Sequence, residues 1–180
     1  NIFQYQKESD SLFVGKNIFE KIKAPQARIP EPIPADWKLG ILGEHNRENA
    51  AFAAATLHAV GLSLEEIKSG LESFEGVEGR LQFVRELNGV KFYNDNNATT
   101  PEATIAALEA LDTGKKSITL ITGGSDKGLE LDELVSAIQS GVSRVIVLTH
   151  GKYQGSERLK KDLRAAGIPY VEAGDLPGAI

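Results

Sequence analysis

An α/β fold, built on a mostly parallel sheet with flanking helices, is predicted by three observations. From Arg80 onwards, short apolar segments alternate with helical segments of about ten residues. Two of the apolar segments, Ile118-Thr119-Leu120-Ile121 and Val145-Ile146-Val147-Leu148, have no polar face, as in strands covered on both sides. Neighbouring parallel strands need a crossover, and the intervening helices supply it.

The elements follow in order. Ser11-Leu12-Phe13-Val14-Gly15 reads as a strand. Ala24 to Ala35 holds Pro25, Pro30, Pro32 and Pro34, four of the seven prolines. Proline lacks the amide and clashes one turn back, so this stretch is predicted as an extended connector or the ragged end of a sheet. Asn49 to Val60 is alanine-rich, with Phe52, Leu57 and Val60 among small residues, and predicts a closely packed helix ended by Gly61. Ser63-Leu64-Glu65-Glu66 is a capping box. It opens a helix to about Phe74, with Leu64, Ile67, Leu71 and Phe74 on one face. Glu75 to Gly79 is the predicted linker between two parts, residues 1–76 and 77–180. Asn88-Gly89 favours a type I′ turn between Leu81–Leu87 and Val90–Tyr93, a hairpin. Helix Pro101–Leu111, strand Ser117–Thr122, helix Leu131–Gln139, strand Arg144–Thr149, helix Ser156–Ala166 and strand Pro169–Val171 complete the series.

Composition excludes several functions. A net charge of -5 lacks the basic footprint of a nucleic-acid binder. Trp37 and the tyrosines are not interleaved with basic residues, so base stacking is not predicted either. Without cysteine there are no disulfides and no thiolate metal sites, and the cytoplasm is the expected compartment. No apolar run approaches the roughly 18 residues that span a bilayer, so no membrane partner is predicted. His45, His58 and His150 lack metal-ligand spacing. No metal site and no catalytic residue is predicted in the chain.

Ligands of an open parallel sheet bind beyond the carboxyl ends of its strands. Three polar clusters are predicted there. In Asn94-Asp95-Asn96-Asn97-Ala98-Thr99-Thr100-Pro101, Thr100 caps a helix and Pro101 takes its first position. Free amides at that helix start favour an anion, and Asp95 suits ribose hydroxyls as an acceptor. Thr122-Gly123-Gly124-Ser125-Asp126-Lys127-Gly128 allows close backbone approach, with Lys127 available to a carboxylate or phosphate. Its spacing is not that of a P-loop. Thr149-His150-Gly151-Lys152 reads as a loop. Earlier, Gly43-Glu44-His45-Asn46-Arg47-Glu48-Asn49 stands at a helix start. Asn46 and Asn49, three apart, share a face on which two amides suit the edge of a base. Each cluster has a bland reading as well: loop asparagines, a glycine turn, or capping by Asn46.

In this order, Gly43-Glu44-His45-Asn46-x-x-Asn49, Gly79-Arg80, Asn94-Asp95-x-x-Ala98-Thr99 and Gly123-Gly124-x-Asp126-Lys127-Gly128 resemble the Mur ligase family. The resemblance covers Gly43 to Val171 and is nearest to the branch that adds D-glutamate to UDP-N-acetylmuramoyl-L-alanine in peptidoglycan biosynthesis. It implies that residues 1–76 are the end of a central α/β ATPase domain, a partial remnant. It implies that residues 77–180 are most of a Rossmann-like carboxy-terminal domain. The implied reaction is an ATP- and Mg²⁺-dependent amide ligation through an acyl phosphate. By the same resemblance Asn46, Asn49, Arg80 and Asp95 bind ATP: the asparagines at the adenine, Arg80 near ribose and phosphates, Asp95 at the ribose. Thr99 and Lys127 hold the D-glutamate carboxylates. The family usually has Asn-Asp-Ser-Lys-Ala-Thr-Asn where this chain has Asn94 to Thr100, so Asn97 stands in place of the usual cation.

The start at Asn1, the lack of methionine and the end at Ile180 lead to the expectation of a fragment. The resemblance implies that it is inactive by itself, since the family's Walker A loop and UDP-sugar domain are not found in it. Two alternatives stay open. One is a ligase of the Mur or folylpolyglutamate type using another amino acid. The other is a non-catalytic Rossmann-like nucleotide-binding module.

Overall fold

The structure, a computed structural model, describes residues 11–20, 26–149 and 154–180. It divides into two compact units, Asn1–Gly76 and Val77–Ile180.

In the first unit, β1 (Leu12–Phe13) pairs in parallel with β2 (Ala27–Arg28), and the short α1 (Lys16–Phe19) lies between them in sequence. The proline-rich stretch is extended as predicted from Ile29 on, but it also supplies β2, while Ala24 and Pro25 lie outside the described residues. The helix α2 (Glu44–Ala59) starts five residues before the predicted Asn49. Gly43 precedes it at φ 96°, so no side chain caps it. The polar residues Glu44 to Asn49 therefore sit inside the helix, not ahead of it. Arg47 explains their place: its guanidinium donates to the carbonyls of Ile33 (3.3 Å), Pro34 (2.8 Å) and Trp37 (3.3 Å). One side chain thus satisfies three carbonyls in a segment whose prolines cannot build a ladder of their own. Ile33 and Trp37 are buried with Ala50, Ala51 and Ile67. The small α2 residues let the extended segment approach closely.

The helix α3 (Leu64–Glu72) begins with the predicted capping box. The Ser63 amide donates to Glu66 Oε2 at 2.9 Å and the Glu66 amide to Ser63 Oγ at 3.3 Å. The Ser63 hydroxyl and, next, the Ser63 amide hold the Glu66 carboxyl below the usual carboxylate range. A lowered pKa gives stability that is full above the unfolded value and lost as pH falls through the folded one. Glu102 and Asp126 share this sign. Acidification from about pH 6 to pH 3 is therefore expected to lower the urea midpoint. Ser63→Ala is expected to be less stable than wild type at neutral pH, with the gap narrowing in acid. A gap constant across the range would refute the linkage.

The second unit opens with β3 (Gln82–Leu87) and β4 (Val90–Asn94), an antiparallel hairpin. Asn88 (φ 51°) and Gly89 (φ 79°) both take the left-handed conformation that a type I′ turn needs. A bulge between Phe83 and Arg85 bends the first strand. Then come α4 (Pro101–Leu111), β5 (Ile118–Thr122), α5 (Asp132–Gly141), β6 (Val142–Leu148), α6 (Gln154–Ala165) and β7 (Tyr170–Ala173), with a 3₁₀ turn at Pro177–Ala179. The three later strands form one parallel sheet in the order β5-β6-β7.

Two expectations need correction here. The first polar cluster follows β4, which among the described residues pairs only with antiparallel β3, so it does not sit at the end of a strand of the parallel sheet. And β5 is only half-buried, because it is an edge strand; in central β6, Val145, Ile146 and Val147 are all buried. The core joins Val145 and Val147 to Leu108 of α4, Leu134 and Ile138 of α5, and Leu159 and Leu163 of α6. A Schellman motif closes α6: the Gly167 amide (φ 68°) bonds Arg164 O and the Ile168 amide bonds Leu163 O.

Candidate functional site

The predicted residues fall into three assemblies, one in the first unit and two in the second. In the first unit, Asn46 and Asn49 share a face of α2, with Asn49 Nδ2 3.5 Å from Asn46 Oδ1. Asn46 Nδ2 donates to Leu42 O at 2.6 Å. Neither amide acts as a cap. Held in this way, the pair offers a donor and an acceptor side by side, the combination that reads the edge of an adenine.

In the second unit, the turn before β3 and the loop after β4 are tied into one knot. Gly79 takes φ 72°, and a Cβ there would stand 2.1 Å from Asn96 Oδ1. The Asn97 amide donates to Gly79 O (3.0 Å) and its side chain to Glu78 O (3.0 Å). Arg80 Nη1 donates to Asn97 O at 3.2 Å. Leu81 is left-handed at φ 45°, an unfavourable state for a branched residue, and its amide donates to Asp95 Oδ1 at 2.8 Å. Arg80 and Asp95, fifteen apart in sequence, thus belong to one hydrogen-bonded arrangement. The second carboxylate oxygen of Asp95 has no partner among the described residues. A carboxylate with a free oxygen and an exposed guanidinium in the same hydrogen-bonded turn and loop suit a ribose hydroxyl and a phosphate. Asn97 is spent on the knot.

Thr99 is exposed in the same loop, and Thr100 caps α4 by accepting from the Ala103 amide at 3.4 Å. The start of α4 is not the open anion site expected from sequence. The Glu102 carboxyl is held below its usual range by its own backbone amide and then by the Thr100 hydroxyl. Those amides already serve groups of the chain itself.

The third assembly is the glycine loop after β5. Gly123 is at φ 151°, and a Cβ there would meet Leu148 O at 2.8 Å and Ser156 Oγ at 2.9 Å. Ser156 is buried; its hydroxyl donates to Leu148 O (2.8 Å) and accepts from the Gly124 amide (3.1 Å). The glycines here serve close packing on α6. Asp126 Oδ1 accepts from the Gly128 amide at 2.8 Å and lies 3.2 Å from Arg158 Nη1. The Gly128 amide and then Arg158 hold its carboxyl below the usual range against partial burial. Lys127, between them, is exposed. Ser156 and Arg158 escape sequence reasoning, because their partners lie about thirty residues away and no local pattern marks the pairing. The last predicted cluster is outside the described residues from His150 on; Thr149 bonds Ala173 O through both its amide and its hydroxyl, as a loop anchor does.

Among the described residues no group of three or more His, Cys, Asp or Glu stands close enough to hold a metal ion. No helix among them is long and apolar enough to cross a membrane.

Residues 79–180 match the family model for the Mur ligase glutamate ligase domain. A UDP-N-acetylmuramoylalanine–D-glutamate ligase of Streptococcus pneumoniae is 42% identical over 149 residues, 83% of this chain and 32% of that protein. Another, from a Thermoanaerobacter species, is 48% identical over 143 residues, 78% of this chain and 30% of that protein. The chain spans about a third of the length of these relatives. The 149 aligned residues outnumber the second unit, so the likeness reaches into the first. Among solved structures, the UDP-N-acetylmuramate-alanine ligase MurC of Thermotoga maritima aligns with a TM-score of 0.62 at 23% identity, over 77% of this chain and 31% of that one. MurF of Acinetobacter baumannii aligns with a TM-score of 0.55 at 24% identity, over 75% and 30%. These two likenesses concern the fold. With its glutamate ligase domain matched over Arg80, Asp95 and the loop of Lys127, the chain belongs to the Mur ligase family.

Proposed function

We propose that the chain is part of a cytoplasmic ATP-dependent ligase that adds D-glutamate to UDP-N-acetylmuramoyl-L-alanine in peptidoglycan synthesis. In this reading residues 1–76 end the central ATPase domain and residues 77–180 form most of the carboxy-terminal domain. The observation that carries the reading is the knot joining Arg80 to Asp95, with one carboxylate oxygen left open. It favours a nucleotide over a generic anion, since a carboxylate repels a bare phosphate and accepts from a ribose hydroxyl. Asn46 and Asn49 are assigned to the adenine, Arg80 to the ribose and phosphates, Asp95 to the ribose. Thr99 and Lys127 are assigned to the carboxylates of D-glutamate.

ATP supplies the phosphoryl group that activates the carboxylate of the precursor, and the amine of D-glutamate then displaces phosphate to form the amide. The chain's share is to hold the nucleotide and to orient the amine, the kind of contribution that positioning makes. Mg²⁺ belongs to the proposed full-length enzyme. No carboxylate cluster of the described residues fits it.

The test is phosphate release by the full-length ligase with ATP, Mg²⁺ and UDP-N-acetylmuramoyl-L-alanine. Release dependent on D-glutamate, with one D-glutamate incorporated per phosphate, is expected. Release driven by a different amino acid and not by D-glutamate would overturn the substrate assignment.

A further inference from the structure

We propose that Arg158 is a positioning residue: by neutralising Asp126 it keeps the adjacent Lys127 available to an anionic substrate. The inference rests on the assignment of Lys127 to a D-glutamate carboxylate.

The loop of Lys127 is held in place by α6. Ser156 is buried; its amide donates to Gly124 O (3.2 Å), and its hydroxyl accepts from the Gly124 amide (3.1 Å). Gly155 lies against the loop so closely that a Cβ would stand 2.7 Å from Gly124 O. Arg158, two residues after Ser156, is therefore carried to the loop by backbone packing. Its Nη1 lies 3.2 Å from Asp126 Oδ1. Both side chains are about two-thirds buried, at 30% and 32% exposure.

The chemistry makes this contact matter. Asp126 is ionised at neutral pH and precedes Lys127 in the chain. D-glutamate carries two carboxylates. Alone, the Asp126 carboxylate would compete for the Lys127 ammonium and repel the substrate. Paired with Arg158, it is cancelled, and the net positive charge of Lys127 remains. Glu157, the other acid at the start of α6, is also answered: Lys160 binds it at 2.6 Å and Glu172 at 3.1 Å. The Gly128 amide bond to Asp126 Oδ1 closes the turn around Lys127 and asks only for an oxygen acceptor, not for a charge. Asparagine would keep that turn.

Steady-state kinetics on the full-length ligase separate neutralisation from mere anchoring. Arg158→Ala is expected to raise KM for D-glutamate by up to about fivefold, the upper range for a partly exposed ion pair, while kcat changes less. Arg158→Lys is expected to keep most of the wild-type KM. The rise should shrink at high salt, because the unpaired carboxylate is then screened. Asp126→Asn is expected to leave KM at or below the wild-type value. In the double variant, Asp126→Asn should cancel the defect of Arg158→Ala, since no charge is left to neutralise. A double variant as poor as Arg158→Ala, or an unchanged KM in Arg158→Ala, overturns the proposal. Lys127→Ala is the companion measurement. If it leaves KM for D-glutamate unchanged, the glutamate assignment itself fails and the role of Arg158 with it. If it raises KM while the Arg158 series fails, the Arg158 role alone falls.

Discussion

Leu163→Ala is expected to lower the unfolding free energy of the second unit by about 3–5 kcal/mol, the range for a fully buried leucine whose surroundings cannot collapse. Leu163 is completely enclosed, in one cluster with Val145 and Val147 of β6 and Ile138 of α5. Every one of these neighbours is anchored in a strand or a helix, so relaxation into the cavity is restricted. The carbonyl of Leu163 also receives the Ile168 amide in the Schellman turn, which fixes the helix end from which the side chain projects. Typical domains have only about 5–15 kcal/mol to lose, so much of the margin would go. Leu87, half-exposed on the hairpin, is the control: Leu87→Ala is expected to stay within about 0.5 kcal/mol. Urea titrations of the chain followed by circular dichroism compare the two. Equal, small shifts would show that the β6–α6 packing does not carry the stability of the unit.

Features set by neighbouring residues were legible in the sequence; features set by distant ones were not. The capping box of Ser63 and Glu66 is a local contract between residues three apart. The Asn88-Gly89 turn needs two left-handed residues in succession, and few pairs tolerate that. The alternation after Arg80 follows from chain connectivity alone. The start of α2 was hidden because Glu44 to Asn49 has no apolar period; that turn is supported by Arg47 reaching back ten to fourteen residues to the proline segment. The pairing of β4 with β3 was legible from that turn, but its separation from the parallel sheet was not, because a hairpin strand carries no local mark of whether its other edge joins a sheet. In the candidate site, Arg80 and Asp95 could be named from the motifs. The left-handed Leu81 that links them could not, since nothing in a leucine announces a strained backbone. Arg158 was out of reach for the same reason as Arg47: its meaning lies in a partner far along the chain.

Asp95 serves both the fold and the proposed nucleotide site, and two substitutions should separate these duties. In the full-length ligase, Asp95→Ala is expected to raise KM for ATP by about ten- to a hundredfold, the loss expected when a charged acceptor is removed. It also removes the acceptor of the Leu81 amide, which holds a residue at φ 45°. The variant should therefore lose thermal stability as well as affinity. Asp95→Asn keeps an oxygen for the Leu81 amide and gives up only the charge and the second acceptor. Its amide nitrogen would face a ribose hydroxyl as a donor. It is expected to melt near the wild-type temperature while retaining a raised KM for ATP, with KM for D-glutamate little changed. The contrast is what matters, because a purely structural Asp95 would let asparagine rescue both properties together. Full recovery of ATP affinity in Asp95→Asn would place the nucleotide elsewhere and leave the carboxylate as a brace for Leu81.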